Sequence, residues 1–330
     1  MASSFLVTTA IPDPGLQLLD DAGRVTVLPE PPDYGTLAAL CASGDFDVVL
    51  TQLRDVIDAP LLAGARLKGV SNFAVGYNNI DVEAATSHGI IVGNTPGVLT
   101  DATADIAMLL ILGTARRVVE ADMFVRAGQF HGWEPELLLG RDVSGAVLGL
   151  AGFGRIARAT ARRALGFGME IIFSPRPPGD RHVSDEELGE FAGKVRQVPW
   201  EELVERSDFL SVHVPLHHQT RHLVDADVLR RMKPNAILIN TARGPIVDEA
   251  ALVDALRGGI IAGAGLDVFE DEPRLAPGLA ELPNTVLLPH VGSATVSVRS
   301  EMARLSALNA VAIAEGRVPP HAVNPLAMSR

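Results

Sequence analysis

The sequence runs to 330 residues, 47% hydrophobic and only 5% aromatic, with a formal net charge of −12. That length suffices for two compact domains with buried cores. The acidic balance argues against nucleic acid, whose phosphates need clustered Lys and Arg, and against anionic membranes. The single cysteine, Cys41, cannot form an intrachain disulfide, so a reducing, cytoplasmic setting is expected.

Along the chain, short Val/Ile/Leu-rich runs alternate with amphipathic segments, the pattern of βαβ units and a parallel sheet. The opening S-F-L-V-T-T-A lacks a basic lead-in and reads as a first strand rather than a signal peptide. Further strand candidates are V-T-V-L from Val25, D-V-V-L-T from Asp47, K-G-V-S-N-F from Lys68 and I-I-V-G-N from Ile90. A long helix is expected from Thr100, where T-D-A-T-A-D offers caps and early acids, through to Arg117, with basic residues in its last turn. Its apolar run, I-A-M-L-L-I-L from Ile106, falls far short of the roughly 18 residues of a membrane span. From Ala146 the rhythm restarts: V-L-G-L-A, M-E-I-I-F, D-F-L-S-V-H-V, N-A-I-L-I-N, A-G-A-G-L-D-V and T-V-L-L-P-H, then one helix and a tail from Ser297. The pattern predicts two α/β lobes, and a cleft between lobes is a usual ligand site.

Val147 to Ala157 reads V-L-G-L-A-G-F-G-R-I-A: a strand, then G-x-G-x-x-A, then a helix. In a dinucleotide-binding turn Gly152 permits the tight bend, Gly154 lets a pyrophosphate approach the backbone, and Ala157 lets helix and strand pack closely. The helix N-terminus behind them offers free N–H groups and partial positive charge to phosphates. The next strand ends in F-S-P-R-P-P, Phe173 to Pro178, with no carboxylate for the ribose hydroxyl of NAD. Ser174, Pro175 and Arg176 stand there instead, and a guanidinium suits the 2′-phosphate of NADP. NADP is therefore the preferred cofactor on this reading, with NAD possible and a solvated loop Arg176 as the alternative.

Arg243, Glu272 and His290 each follow an apolar strand-like run, at the strand ends where open α/β sheets bind ligands. Their types suit reduction of a 2-oxo acid. A guanidinium holds a carboxylate and polarises the adjacent carbonyl. A protonated imidazole delivers a proton to the oxygen, and a carboxylate on its other nitrogen orients it. Each residue taken singly has a plainer reading: a salt-bridging Arg, a solvated Glu, a turn His. His182, His213, His217, His218 and His222 have no comparable context, and no cluster shows metal-ligand spacing.

Along nearly its whole length the chain resembles the D-isomer-specific 2-hydroxyacid dehydrogenases, within them most the glyoxylate/hydroxypyruvate reductases. The motifs are S-N-F-A-V-G-Y-N-N-I-D (Ser71–Asp81), N-T-P-G-V-L-T-D-A-T-A-D (Asn94–Asp105), G-F-G-R-I-A, N-T-A-R-G, G-L-D-V-F-E-D-E-P and P-H-V-G-S-A-T. The resemblance implies two Rossmann-like, doubly wound parallel-sheet domains with an active-site cleft between them. Residues 1–99 and 291–330 would form a flavodoxin-like substrate domain and residues 100–290 the dinucleotide domain. It implies Arg243, Glu272 and His290 as catalytic residues, the backbone of Val75 and Gly76 as the carboxylate site, and Leu53 as a pocket wall. For the cofactor it implies the loop Gly152, Phe153, Gly154, Arg155 and Ile156, the Ser174–Arg176 corner, and Thr103, Pro215, Thr241, Ala242, Asp267 and Gly292. A homodimer built around the helix and loop after Thr100 is implied as well; Trp133 reads either as a residue reaching a neighbouring subunit's site or as an ordinary helix-packing Trp. Another substrate (2-ketogluconate, D-lactate or D-3-phosphoglycerate) or a non-catalytic, corepressor-like nucleotide sensor remains an alternative.

Overall fold

The structure is a computed structural model and describes residues 3–179 and 181–329. It divides into two compact units, Met1–Leu99 with Ala294–Arg330, and Thr100–Ser293. In the first, β1 (Ser3–Val7), β2 (Gly23–Val27), β3 (Val48–Thr51), β4 (Gly69–Asn72) and β5 (Ile91–Gly93) form a parallel sheet in the order β2-β1-β3-β4-β5. Every residue of β3 and β4 is buried, as befits strands covered on both faces. The C-terminal helix, Val296–Ala314, returns to this unit. There Ser71 donates its hydroxyl to the Ser306 carbonyl at 2.8 Å. Gly69 is needed at the crossing, since a Cβ there would lie 2.7 Å from the Ile313 side chain.

The second unit holds β6 (Val147–Ala151), β7 (Glu170–Ser174), β8 (Val195–Gln197), β9 (Phe209–Val212), β10 (Ile237–Asn240), β11 (Gly263–Leu266) and β12 (Thr285–Leu287). They form a parallel sheet in the order β12-β11-β10-β9-β6-β7-β8. The six expected strand runs are all present; β8 is the addition, a three-residue edge strand with no fully buried residue. The order reverses between β6 and β9. In open α/β sheets such a switch point, at the carboxyl ends of the two strands, is where ligands bind.

The helix expected to reach Arg117 stops at Ala115. Arg117 adopts φ 54°, turns the chain and starts a separate helix, Val118–Arg126, while its guanidinium pairs with Glu120 at 2.6 Å. A left-handed residue cannot continue an α-helix, so Arg116 and Arg117 lie past the end of the first one. That first helix, Thr100–Ala115, lies over β11, where a Cβ on Gly265 would meet Leu110 at 2.8 Å. It is tied to the helix Arg155–Gly166 by Arg163, which reaches Asp105 at 2.6 Å and Asp101 at 3.0 Å. Among the described residues no helix is long and apolar enough to cross a membrane.

Candidate active site

Three loops at the carboxyl ends of adjacent strands carry the charged residues. Arg243 follows β10, in a turn organised by Asn240. That side chain accepts the Ala242 N–H at 3.0 Å and donates to the Arg243 carbonyl at 2.9 Å. The guanidinium donates to the Ala242 carbonyl at 2.7 Å. Burial pushes its pKa down, and the charge of Glu272 pushes back. Glu272 lies beyond β11 and accepts the Phe269 N–H at 3.0 Å through Oε1. Its Oε2 stands 2.9 Å from Nδ1 of His290. Burial raises the Glu272 pKa, but the His290 bond and charge, the Phe269 N–H and Arg243 outweigh it, so the carboxyl titrates below its ordinary value. Nδ1 is thus engaged, which leaves Nε2 of His290 as the nitrogen able to serve a substrate.

His290 has φ 55°, a conformation costing a non-glycine residue roughly 1–3 kcal/mol. Asp267, buried at the end of β11, holds the segment that follows it. Its two oxygens accept the Val291 and Gly292 N–H groups, each at 2.7 Å. Gly292 is confined, because a Cβ would stand 3.1 Å from that carboxylate, and its carbonyl accepts the Thr103 hydroxyl at 3.2 Å. These bonds keep Val291–Ser293 with the second unit.

The glycine loop leaves β6 with Gly152 at φ 98° and its N–H donated to the Ser174 carbonyl at 2.8 Å. A Cβ on Gly152 would sit 2.9 Å from the His213 carbonyl, so β6 and β9 meet too closely for any side chain. Phe153 turns inward and stacks on Phe173 with ring centroids 4.1 Å apart, leaving its backbone to face the loop. Gly154 caps the helix Arg155–Gly166 without a side-chain bond, and a Cβ on it would meet nothing within 4 Å. Arg155 is exposed and Ile156 half-buried in the first turn, and Ala157 is fully buried beneath. Past β7, Ser174 is buried, Pro175 half-buried and Arg176 exposed, with Arg176 forming no ion pair among the described residues. Pro215 is exposed after β9, and its carbonyl accepts the Thr220 hydroxyl at 2.7 Å.

In the first unit, the loop after β4 is shaped by two asparagines. Asn72 donates to the Gly76 carbonyl and Asn94 to the Val75 carbonyl, both at 2.8 Å. Leu53 is half-buried in the turn after β3. The remaining candidates stand apart. His213 lies 2.9 Å from the Ser211 hydroxyl, and burial pushes its pKa down to about 4, so it is neutral. His222 meets Glu270 at 2.6 Å. Burial pushes the Cys41 thiol up to about 12, too high for a nucleophile at neutral pH. Among the described residues no three His, Cys, Asp or Glu side chains gather as a metal site.

Residues 108–292 match the model of the D-isomer specific 2-hydroxyacid dehydrogenase, NAD binding domain. The chain belongs to this family. A glyoxylate reductase of Thermococcus litoralis is 46% identical to it over 98% of this chain and 97% of its own length. Among solved structures, a glyoxylate reductase from Paecilomyes thermophila aligns with a TM-score of 0.86 at 33% identity, over 98% of each chain. An NADPH-dependent glyoxylate/hydroxypyruvate reductase from Sinorhizobium meliloti, solved with NADP and malonate, aligns with a TM-score of 0.85 at 37% identity over 98% of each chain.

As a 2-hydroxyacid dehydrogenase the chain is an NAD(P)-dependent oxidoreductase acting on small oxo and hydroxy acids. Its residues fit the dinucleotide. The space above Gly154 and the uncapped first helical turn at the switch point suit a phosphate, and the buried Thr241 hydroxyl after β10, which has no hydrogen-bond partner among the described residues, suits a polar ligand too. Residue types alone do not single out Asn72 and Asn94, which shape the Val75–Gly76 loop of the first unit, or Asn240, which shapes the Arg243 turn of the second. Their only signal was an Asn at or just past a strand end, where such a side chain bonds neighbouring backbone.

Proposed function

We propose that this dehydrogenase reduces a small 2-oxo acid, glyoxylate or hydroxypyruvate, to the D-2-hydroxy acid with NADPH. The observation that carries this reading is the Glu272–His290 bond at 2.9 Å, which leaves the other imidazole nitrogen for a substrate, with the Arg243 charge felt at Glu272. The substrate carboxylate is assigned to the N–H groups of Val75 and Gly76 and to Arg243, which also polarises the carbonyl. His290 releases the proton on Nε2 to the carbonyl oxygen, and Glu272 holds the ring and stabilises its charged form. Leu53 limits the size of the substrate's side chain. The bound nicotinamide supplies hydride to the carbonyl carbon. Its pyrophosphate is assigned to Gly152–Ile156, its nicotinamide end to Thr103, Asp267 and Gly292, and neighbouring contacts to Pro215, Thr241 and Ala242. The 2′-phosphate is assigned to Ser174, Pro175 and Arg176, where an exposed guanidinium takes the place of a ribose-binding acid.

Oxidation of NADPH upon adding glyoxylate or hydroxypyruvate is the expected result, with achiral glycolate as the product from the first and the D-hydroxy acid from the second. NADPH binding without turnover of any small 2-oxo acid would refute the reading. A homodimer is part of the proposal: Met123, Val125, Phe130, Trp133 and Leu139 expose apolar side chains along one stretch, Trp133 at 84%. Sedimentation as a single chain of 34.9 kDa would contradict it.

A further inference from the structure

A buried carboxylate outside the catalytic trio braces the loop that carries Glu272. Glu249 opens the helix Glu249–Arg257 and is only 3% exposed. Its Oε1 accepts the Glu270 N–H at 2.5 Å and its Oε2 the Ala276 N–H at 3.2 Å. These two donors flank Glu272 on either side. Between them the chain makes a tight exposed turn, closed by the Arg274 N–H on the Asp271 carbonyl at 2.9 Å and by an ion pair of the same two residues. An exposed ion pair contributes little; the turn is attached by Glu249, by the close approach of Gly244 to Phe269, and at its first end by the part-exposed bonds of His222 and Arg221 to the Glu270 carboxylate.

The choice of a carboxylate is informative. Burial raises the Glu249 pKa, the two N–H bonds lower it, and the charges of Glu270 and Glu272 raise it again; the net direction is upward. An apolar side chain would fill the same space without that penalty. What only a carboxylate supplies here is two directed acceptors, one for each end of the turn. Glu272 needs such fixing, since its oxygens must meet the Phe269 N–H and His290 Nδ1 at once. Asp267 does the equivalent for the segment after His290.

We propose that Glu249 is a positioning residue for the acid–base pair, acting through Glu272 by stapling the Glu270–Ala276 turn. This rests on the reductase reading above. In Glu249→Gln one acceptor becomes an amide that confronts an N–H. The expected result is a fall in kcat of about ten-fold or more, with KM for the oxo acid and the affinity for NADPH within about two-fold of the parent. In the Glu272→Gln background the same change should have no further effect, because both act through one contact. An unchanged kcat, or an equal fall in both backgrounds, would overturn the proposal. Amide exchange gives a readout without turnover: Glu270 and Ala276 should exchange faster in Glu249→Gln, and unaltered exchange would overturn the staple even if no 2-oxo acid were reduced. Should Glu249→Gln not fold, Glu249→Asp keeps both acceptors on a shorter arm and carries the same comparisons.

Discussion

Replacing His290 with alanine is expected to lower kcat for 2-oxo acid reduction by roughly 10²–10⁴-fold, the usual contribution of a positioned general acid. Binding of NADPH should be little changed, because Gly292, which shares the His290 loop and is assigned to the dinucleotide, is held through its own backbone N–H by Asp267, and the other assigned groups lie on other loops. The expectation follows from geometry: one ring nitrogen is taken by Glu272 at 2.9 Å, so the other alone can reach a substrate oxygen. It carries a pH signature through Glu272. Glu272 has its pKa depressed below the ordinary carboxylate value, so its bond to His290 is fully present above that value and is lost as pH falls through the depressed one. A near-normal kcat in His290→Ala would remove the histidine from the chemistry.

Arg243→Ala should lower kcat/KM by about 10²–10³-fold, since loss of one preformed donor to a developing oxyanion commonly has that effect. Both parameters should suffer: KM because the substrate carboxylate loses its bidentate partner, and kcat because the carbonyl is no longer polarised. Arg243→Lys should recover only part of the loss, for an ammonium lacks the planar fork. The guanidinium is largely desolvated, and Asn240 fixes the turn that carries it, so little reorganisation is left for the bound state. Full recovery by lysine would show that charge alone suffices.

Much of this architecture was legible in the residues. Buried parallel strands need continuous apolar runs, and V-V-L-T, I-L-I-N and G-A-G-L are such runs. The strand β8 was not legible, because V-R-Q is short, half-exposed and polar at two of three positions. The end of the Thr100 helix is not legible, because Arg116 and Arg117 look like ordinary last-turn cations, whereas Arg117 takes a left-handed turn. At the site, the positions of Arg243, Glu272 and His290 followed from the apolar runs before them. Glu249 did not, since an acid in a first helical turn reads as a partner for the helix dipole. Its actual partners are backbone N–H groups more than twenty residues away, which no local pattern announces.

NADPH-dependent reduction of a small 2-oxo acid is tested by kcat/KM for NADPH and for NADH with saturating glyoxylate, in the parent and in Arg176→Ala. A preference for NADPH of about ten-fold or more is expected in the parent, reduced in the variant through a higher KM for NADPH. Equal or better use of NADH by the parent would contradict it.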